Sequence, residues 1–189
     1  HYNPVFLIPD GEFVPLKYHL YATRKPYQPD QVWDVFKEFK KNGRDVITIP
    51  HHPGRLTAAI DYRFYSREFV PVIEIAQGRG SYEYYRPNDY AEPAVIDVVK
   101  QGHFVQDGLA RGYEYGFIAS GDHSGNQLAA VYAKSLSRED IFNALKQRRC
   151  FATFGEKIFV DFRVNGTFMG GNLELDSPKT PRVLDIHVI

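Results

Sequence analysis

The apolar positions of this chain form three short runs, and each run ends on a residue that can bind a metal ion. The runs lie at 45–53, 71–76 and 115–123. Apolar stretches of this length predict buried strands. Parallel α/β barrels and open α/β sheets place their chemistry at the carboxyl ends of their strands. Because these ends supply His, Asp and Glu, they predict a site for a divalent metal ion.

Helical patterns accompany these runs. Asp30 can cap a helix that carries Trp33 and Phe36 on its buried face, and Gly43 fits the position just past its end. Ser137 begins another helix with a capping-box pattern. A helix followed at once by a buried strand is typical of an α/β domain, so the predicted fold class is α/β. Two shorter helices are predicted over 94–100 and 104–111.

The pattern changes near Gly155. Residues 158–164 alternate as a strand does, and Asn165-Gly166 is a strong hairpin turn. We therefore predict two units, 1–155 and a β-rich extension over 156–189. The chain starts at His1 without Met and stops in the middle of a strand pattern, so we expect a piece of a longer protein with an incomplete extension.

The composition excludes several classes of protein and of metal site. The 189 residues carry a formal net charge of +0, which lacks the basic footprint of a nucleic-acid-binding protein. Cys150 is the only cysteine, which excludes an internal disulfide and a cysteine-rich zinc module. No apolar run approaches the roughly 20 residues of a membrane span. Any metal ligands must therefore be imidazoles and carboxylates, while the compartment and the oligomeric state stay open.

The adjacent histidines His51 and His52 lie between Pro50 and Pro53, which take the pair out of the strand ladder. Neighbouring side chains of a strand point to opposite faces, so at most one of them is expected to enter a site directly. We choose His51 as the metal ligand and His52 as a second ligand or a substrate contact. The alternative is a pair of hydrogen-bonded loop histidines.

Glu74 lies inside an apolar strand, and a buried carboxylate needs a partner. A metal ion or an arginine, Arg63 or Arg79, would serve equally well. Asp122 and His123 follow the third run and lie between Gly121 and Gly125. They could be metal ligands. Alternatively, Asp122 caps a turn and His123 lies on the surface.

The glycine-rich segment 77–83 follows the Glu74 strand. Its backbone amides and Arg79 could hold a phosphate group. Its spacing matches no nucleotide-binding loop, and the alternative is a plain flexible turn.

Four of these segments resemble the PHP superfamily, named for polymerase and histidinol phosphatase. More specifically, they resemble its branch of long, largely uncharacterised proteins with a β-rich tail. The similarity spans roughly residues 46–170, and the chain resembles the carboxyl half of such a protein. The segments that carry it are Ile49-Pro-His-His-Pro53, Val72-Ile-Glu-Ile with Gly80-Ser-Tyr-Glu83, Gly116-Phe-Ile-Ala-Ser-Gly-Asp-His123, and 138–153.

The resemblance implies the carboxyl part of a distorted parallel β/α barrel that holds two or three divalent ions, zinc, manganese or iron. It also implies phosphoester hydrolysis. It makes His51 (or His52), Asp122 and His123 metal ligands, and it places Glu74 where the family has a site carboxylate.

The chain departs from the family pattern in its motifs. The first His-x-His motif is absent, and Asp122 and His123 are adjacent, where the family separates the two ligands by one residue. Arg79 stands near the place where the long branch often has a histidine.

We therefore predict a metal-dependent hydrolase, most directly a phosphoesterase that acts on a small phosphorylated substrate. His52 and Arg79 would orient the phosphate, and the chain alone would be weakly active or inactive. One alternative is a non-catalytic module that binds carbohydrate or protein, which the 13 Tyr and 14 Phe would suit. Another is metal-dependent hydrolysis of a non-phosphate bond.

Overall fold

The structure is a computed structural model that describes residues 2–15, 18, 28–41, 43–85, 99–123 and 125–189. Three helices and ten strands are defined here within those ranges. The helices are α1 (Pro29–Phe39), α2 (Val105–Leu109) and α3 (Arg138–Lys146). The strands are β1 (Tyr2–Leu7), β2 (Asp45–Pro50), β3 (Val72–Gln77), β4 (Gly80–Ser81), β5 (Gly116–Ser120), β6 (Leu128–Val131), β7 (Cys150–Thr153), β8 (Val160–Val164), β9 (Thr167–Phe168) and β10 (Leu184–Val188).

The three apolar runs form strands, as predicted. The two longer predicted helices are also present. In α1, Trp33, Phe36 and Phe39 form the buried face. The helix starts two residues earlier than predicted, because Gln28 is its N-cap and Asp30 lies inside its first turn. In α3, the Ser137 hydroxyl accepts the predicted capping bond from the backbone of the first turn at 3.1 Å.

The predicted α/β fold class, with a parallel β/α barrel, is wrong. The described strands form small separate sheets, ordered β1-β2, β4-β3-β5, β6-β7 and β10-β8-β9. Among their pairings only β3 with β5 is parallel, and β2 pairs antiparallel with β1. A run of Val and Ile is buried equally well in a parallel strand and in a strand of a small mixed sheet. Hydrophobic pattern alone therefore could not give the strand direction.

The core has two sides because β2 is covered on both faces. Val46 packs in a cluster with α1, while its neighbour Ile47 packs in a second cluster with Phe142 of α3. Both are 0% exposed. Alternating side chains of one strand thus enter different clusters. This double covering holds the carboxyl end of β2 in a fixed position beside β3.

The carboxyl-terminal unit is the three-stranded sheet β10-β8-β9. Asn165 and Gly166 both have positive φ, 48° and 78°, as the predicted hairpin turn requires. Every residue of β10 is exposed. The unit touches the rest of the protein, for example where Val160 N donates to the Tyr132 hydroxyl at 3.1 Å. The boundary near Gly155 stays a prediction.

The two short helix predictions have different outcomes. The helix predicted over 104–111 is present as the shorter α2. Most of the segment 94–100, residues 94–98, lies outside the described residues, and Val99 forms an isolated bridge with Arg55.

Candidate functional site

The ends of β2, β3 and β5 meet around the carboxylate of Glu74. The parallel register pairs Glu74 with Ile118 and Gln77 with Ser120, and it shifts between Glu74 and Ala76 as at a β-bulge. The Ser120 hydroxyl, at the end of β5, donates to Glu74 Oε1 at 2.6 Å.

Glu74 is 2% exposed and has protein donors on both of its oxygens. Besides Ser120, the backbone N–H of His52 donates to Oε2 at 2.6 Å. His51 Nδ1 lies 2.9 Å from Oε2 and 3.1 Å from Oε1. These donors offset the cost of burying the carboxylate. The arginine alternative is not seen, because Arg63 pairs with Asp61 and Arg79 pairs with Asp122.

His51 is held by one ring nitrogen and presents the other to the site. A carboxylate only accepts hydrogen bonds, so His51 Nδ1 carries the proton that points to Glu74. When the ring is neutral, the lone pair is on Nε2, which lies 3.5 Å from Asp122 Oδ1. A carboxylate that orients a histidine in this way is a frequent arrangement in metal centres.

His52 does not continue the strand geometry. Its φ is 36°, in the left-handed region, and its ring centroid lies 3.8 Å from that of His51. The expectation that the two rings point to opposite faces is therefore not met, and both line the same cleft. Burial and the charges of His51 and Arg55 together lower the pKa of His52 to about 4, although Glu74 and Asp122 oppose them. His52 is therefore neutral at pH 7.

Asp122 divides its two oxygens between different partners. Oδ2 forms an ion pair with Arg79 Nη1, while Oδ1 faces His51 Nε2 and lies 3.7 Å from His123 Nε2. Burial raises the pKa of Asp122, but His51, Arg79 and His123 more than offset this, so its pKa lies below the ordinary value. The carboxylate side chain is only 14% exposed, whereas the His123 side chain is 87% exposed.

Backbone strain is concentrated at this site. His52 and Asp122, with φ of 36° and 53°, are two of the four non-glycine residues with positive φ among those described. Such a conformation costs on the order of 1–3 kcal/mol, least for Asp and Asn, and it persists where surrounding contacts enforce it. Strain of this kind is frequent at functional sites.

These side chains line a cleft of about 430 Å³. Sequence reasoning missed four of its residues, Asn3, Arg55, Thr57 and Ala58. For Arg55 the available signal was its place directly after the His-His-Pro-Gly turn. The full lining is Asn3, His51, His52, Arg55, Thr57, Ala58, Arg79, Asp122 and His123.

The donor types in the cleft suit zinc, manganese or iron, but the set is incomplete. Two ligands on one such ion, each about 2.0–2.2 Å from it, stand at most about 4 Å apart, so the 3.5 Å between His51 Nε2 and Asp122 Oδ1 is compatible with a shared ion. Among the residues that the structure describes, no group of three or more His, Cys, Asp or Glu could hold a metal ion. The described part of the chain therefore shows no complete metal site, and it brings two donors, His51 Nε2 and Asp122 Oδ1, close together.

Comparison with known proteins finds a family model and relatives whose descriptions name no activity. Residues 100–185 match a family described as "Protein of unknown function (DUF3604)". A relative from Chlamydia muridarum is 27% identical over 161 residues, which is 76% of this chain and 26% of that protein. Another from Chlamydia trachomatis is 27% identical over 176 residues, 84% of this chain and 28% of the relative. Both are described as uncharacterized proteins.

The chain spans about a quarter of the length of these relatives. No solved structure matches it. Within the described ranges, none of the helices has the length and apolar character needed to cross a membrane.

Proposed function

We propose that this chain contributes part of the active site of a metal-dependent phosphoester hydrolase. The observation that carries the proposal is the orientation of His51, whose Nδ1 is bonded to the buried Glu74 while Nε2 faces Asp122 Oδ1 at 3.5 Å. A histidine fixed in one tautomer beside a carboxylate presents two metal donors in advance of binding. The resemblance to the PHP superfamily supports the same chemistry.

The residues have distinct roles in this proposal. His51 and Asp122 would hold the metal ion, and His123, at the exposed rim, would add a donor. Glu74 lies on the other side of the His51 ring from the cleft, so we assign it to positioning His51, although the sequence predicted it as a ligand. Further ligands come from outside the described residues.

A divalent ion in this place lowers the pKa of a bound water to about 7 and neutralises charge on phosphoryl oxygens. The protein's own contribution is to orient and bind the substrate. Arg79, whose side chain is 34% exposed, can bind a phosphate oxygen at the mouth of the cleft. His52, neutral at pH 7, can accept or donate a hydrogen bond without adding charge.

The cationic side chains of the cleft favour a phosphorylated substrate over one with a neutral scissile bond. Arg55 and Arg79 line it against a single carboxylate from Asp122, among the described residues. A carbohydrate-binding module would favour exposed aromatic rings. No tyrosine lines the cleft among the described residues, and Tyr65 and Tyr113 instead pack against the core and stack with ring centroids 4.1 Å apart.

Metal titration of the chain by isothermal calorimetry tests the proposal. Removing a donor weakens binding, so we expect His51→Ala and Asp122→Asn each to reduce the affinity for Zn²⁺ or Mn²⁺ at least about tenfold. The control is His187→Ala, which removes a histidine from the exposed strand β10.

The control should leave the affinity unchanged. Equal affinities of the wild-type chain and the His51 and Asp122 variants would refute the proposed site. So would a wild-type chain that binds neither ion.

A further inference from the structure

We propose that the outer edge of β10 is an interface at which two copies of this chain pair antiparallel, about a twofold axis at Ile186. β10 is the end strand of the sheet β10-β8-β9, and among the described residues it pairs only with β8. An open sheet edge is a template for a further strand. β10 contributes no residue to the described lining of the cleft, so the pairing can be tested without metal.

The backbone of β10 alternates between β8 and the open edge. Ile189 and Phe159 exchange two hydrogen bonds, at 2.9 and 3.0 Å, across the ladder of these strands. Because the register is unbroken along β10, its odd-numbered residues direct their N–H and C=O groups to β8. The even-numbered residues therefore direct theirs to the open edge, and these are Leu184, Ile186 and Val188.

The side chains of this edge suit pairing. Many sheets protect an open edge with Pro, Lys or a bulge. Residues 183–189 include no Pro, Gly or Lys, and the β8–β10 register contains no shift. Ile186 is 56% exposed, and its neighbour across the ladder is Phe162. A further strand would shield part of this apolar row from water.

The polar side chains of β10 favour one register for a pairing of two copies. Only registers that place even-numbered residues opposite each other join the outward-facing backbone groups. With Ile186 opposite Ile186, Leu184 of one copy faces Val188 of the other. Asp185 of one copy then faces His187 of the other, so that a carboxylate acceptor lies opposite an imidazole donor twice.

The neighbouring registers lack this match. A pairing centred on Asp185 places two carboxylates directly opposite each other, which is destabilising. A pairing centred on His187 leaves each Asp185 opposite the apolar Ile189. In the register centred on Ile186 the match extends to β8, where Asp185 lies opposite Arg163 and His187 lies opposite Asp161. Donors and acceptors then alternate across all four strands, and this complementarity points to a second copy as the partner.

The test is sedimentation velocity of the full chain over a concentration series. Seven paired residues bury less than a standard interface of about 1,600 Å², so we expect a reversible dimer with a dissociation constant on the order of 10 µM or above. Ile186→Lys places two ammonium groups at the axis and should weaken dimerisation at least about tenfold. Ile186→Pro removes an outward N–H without adding charge and should also weaken it.

Leu136→Lys is the matched control, because Leu136 is 94% exposed and lies outside β10. It adds the same charge and should dimerise as the wild type does, and thermal unfolding checks that each variant is folded. The self-pairing is wrong if the wild type stays monomeric throughout the series or if Leu136→Lys loses as much. A dimer that survives Ile186→Pro would lie on a face of the sheet or elsewhere, and it would overturn the strand pairing.

Oxidative crosslinking tests the register. Directly opposite, hydrogen-bonded residues of an antiparallel ladder have Cα atoms about 5.5 Å apart, which a disulfide can span. Ile186→Cys should therefore form a linked dimer with oxidised glutathione, whereas Asp185→Cys, which lies opposite His187, should form much less. The native Cys150 is buried and should stay unlinked. Equal crosslinking of the two variants would overturn the register.

Discussion

The cleft and the carboxyl-terminal sheet differ in which side chains they bury. In the cleft a carboxylate, Glu74, is 2% exposed and is bonded by three different donors. In the terminal sheet the apolar side chains of Leu184, Ile186 and Val188 are 56–59% exposed. A buried charge and an exposed apolar row are each costly by themselves. The difference indicates that the first region has its own interior, whereas the second has an open face.

The two regions should therefore differ in what stabilises them. Around the cleft, side chains on both faces of β2 are fully buried. The terminal sheet depends on the β8–β10 ladder and the Asn165-Gly166 turn, with little apolar burial on β10. Full burial of a Val, Leu or Ile side chain contributes about 1.5–3 kcal/mol to the free energy of unfolding. The exposed apolar side chains of β10 contribute only a small part of this.

The largest effect should come from Glu74→Ala. The substitution leaves His51, the His52 N–H and the Ser120 hydroxyl without their acceptor inside the protein. Breaking a buried charged network costs about 3–5 kcal/mol, and we expect a loss of that order in the free energy of unfolding. Urea denaturation measures it, and Glu74→Gln, which keeps one acceptor oxygen, should lose less. A loss below about 1 kcal/mol would mean that the network is not formed as described.

A matched pair of isoleucines tests the comparison directly. Ile47 is 0% exposed in β2 and Ile186 is 56% exposed in β10. Ile47→Ala should lower the free energy of unfolding by about 2–5 kcal/mol, since it leaves a cavity in the core. Ile186→Ala should change it by less than about 1 kcal/mol. Denaturant titration of both variants gives the two values, and equal losses would show that the β10 face is covered in solution.

The sequence predicted the elements better than their arrangement. Strands β2, β3 and β5 and the buried face of α1 follow from local patterns, because burial on both faces needs apolar runs. The parallel barrel was wrong because the pairing of β1 with β2 joins segments about 45 residues apart, and no local pattern encodes it. Long-range pairing of this kind depends on the whole set of packed faces.

In the candidate site, too, the residues could be predicted from the sequence but their contacts could not. The residue types at the strand ends predicted His51, Glu74 and Asp122 as neighbours, and the structure brings them together. The partners of Glu74 could not be predicted, because the Ser120 hydroxyl and the His52 N–H reach it from two other strand ends, and no local pattern encodes how those ends meet. The place of Arg55 in the lining of the cleft depends on a turn that packs against Phe104, which is distant in sequence.

The smallest effect concerns Asp45, which accepts from Lys146 and lies 3.3 Å from Lys40 Nζ. Burial raises its pKa, but these two lysines and the Val46 N–H lower it more, so the folded-state pKa is below the ordinary value of 3.8. The stability it contributes is therefore fully present above pH 3.8 and is lost as the pH falls through the folded-state pKa. For a partly exposed pair this amounts to about 1 kcal/mol or less.

Asp45→Asn should accordingly lower the unfolding free energy slightly at pH 7, and the gap to the wild type should close in acid. Urea titrations at pH 7, 5 and 3 measure this gap. The control is Asp161→Asn, whose ion pair with Arg163 lies within β8 of the terminal sheet. A pair on one strand joins no separate elements, so its loss should matter less than that of Asp45, which ties β2 to the end of α3. A gap for Asp45→Asn that stays constant with pH would mean that the substitution acts through packing, and the charged link would then contribute nothing to the contrast between the two regions.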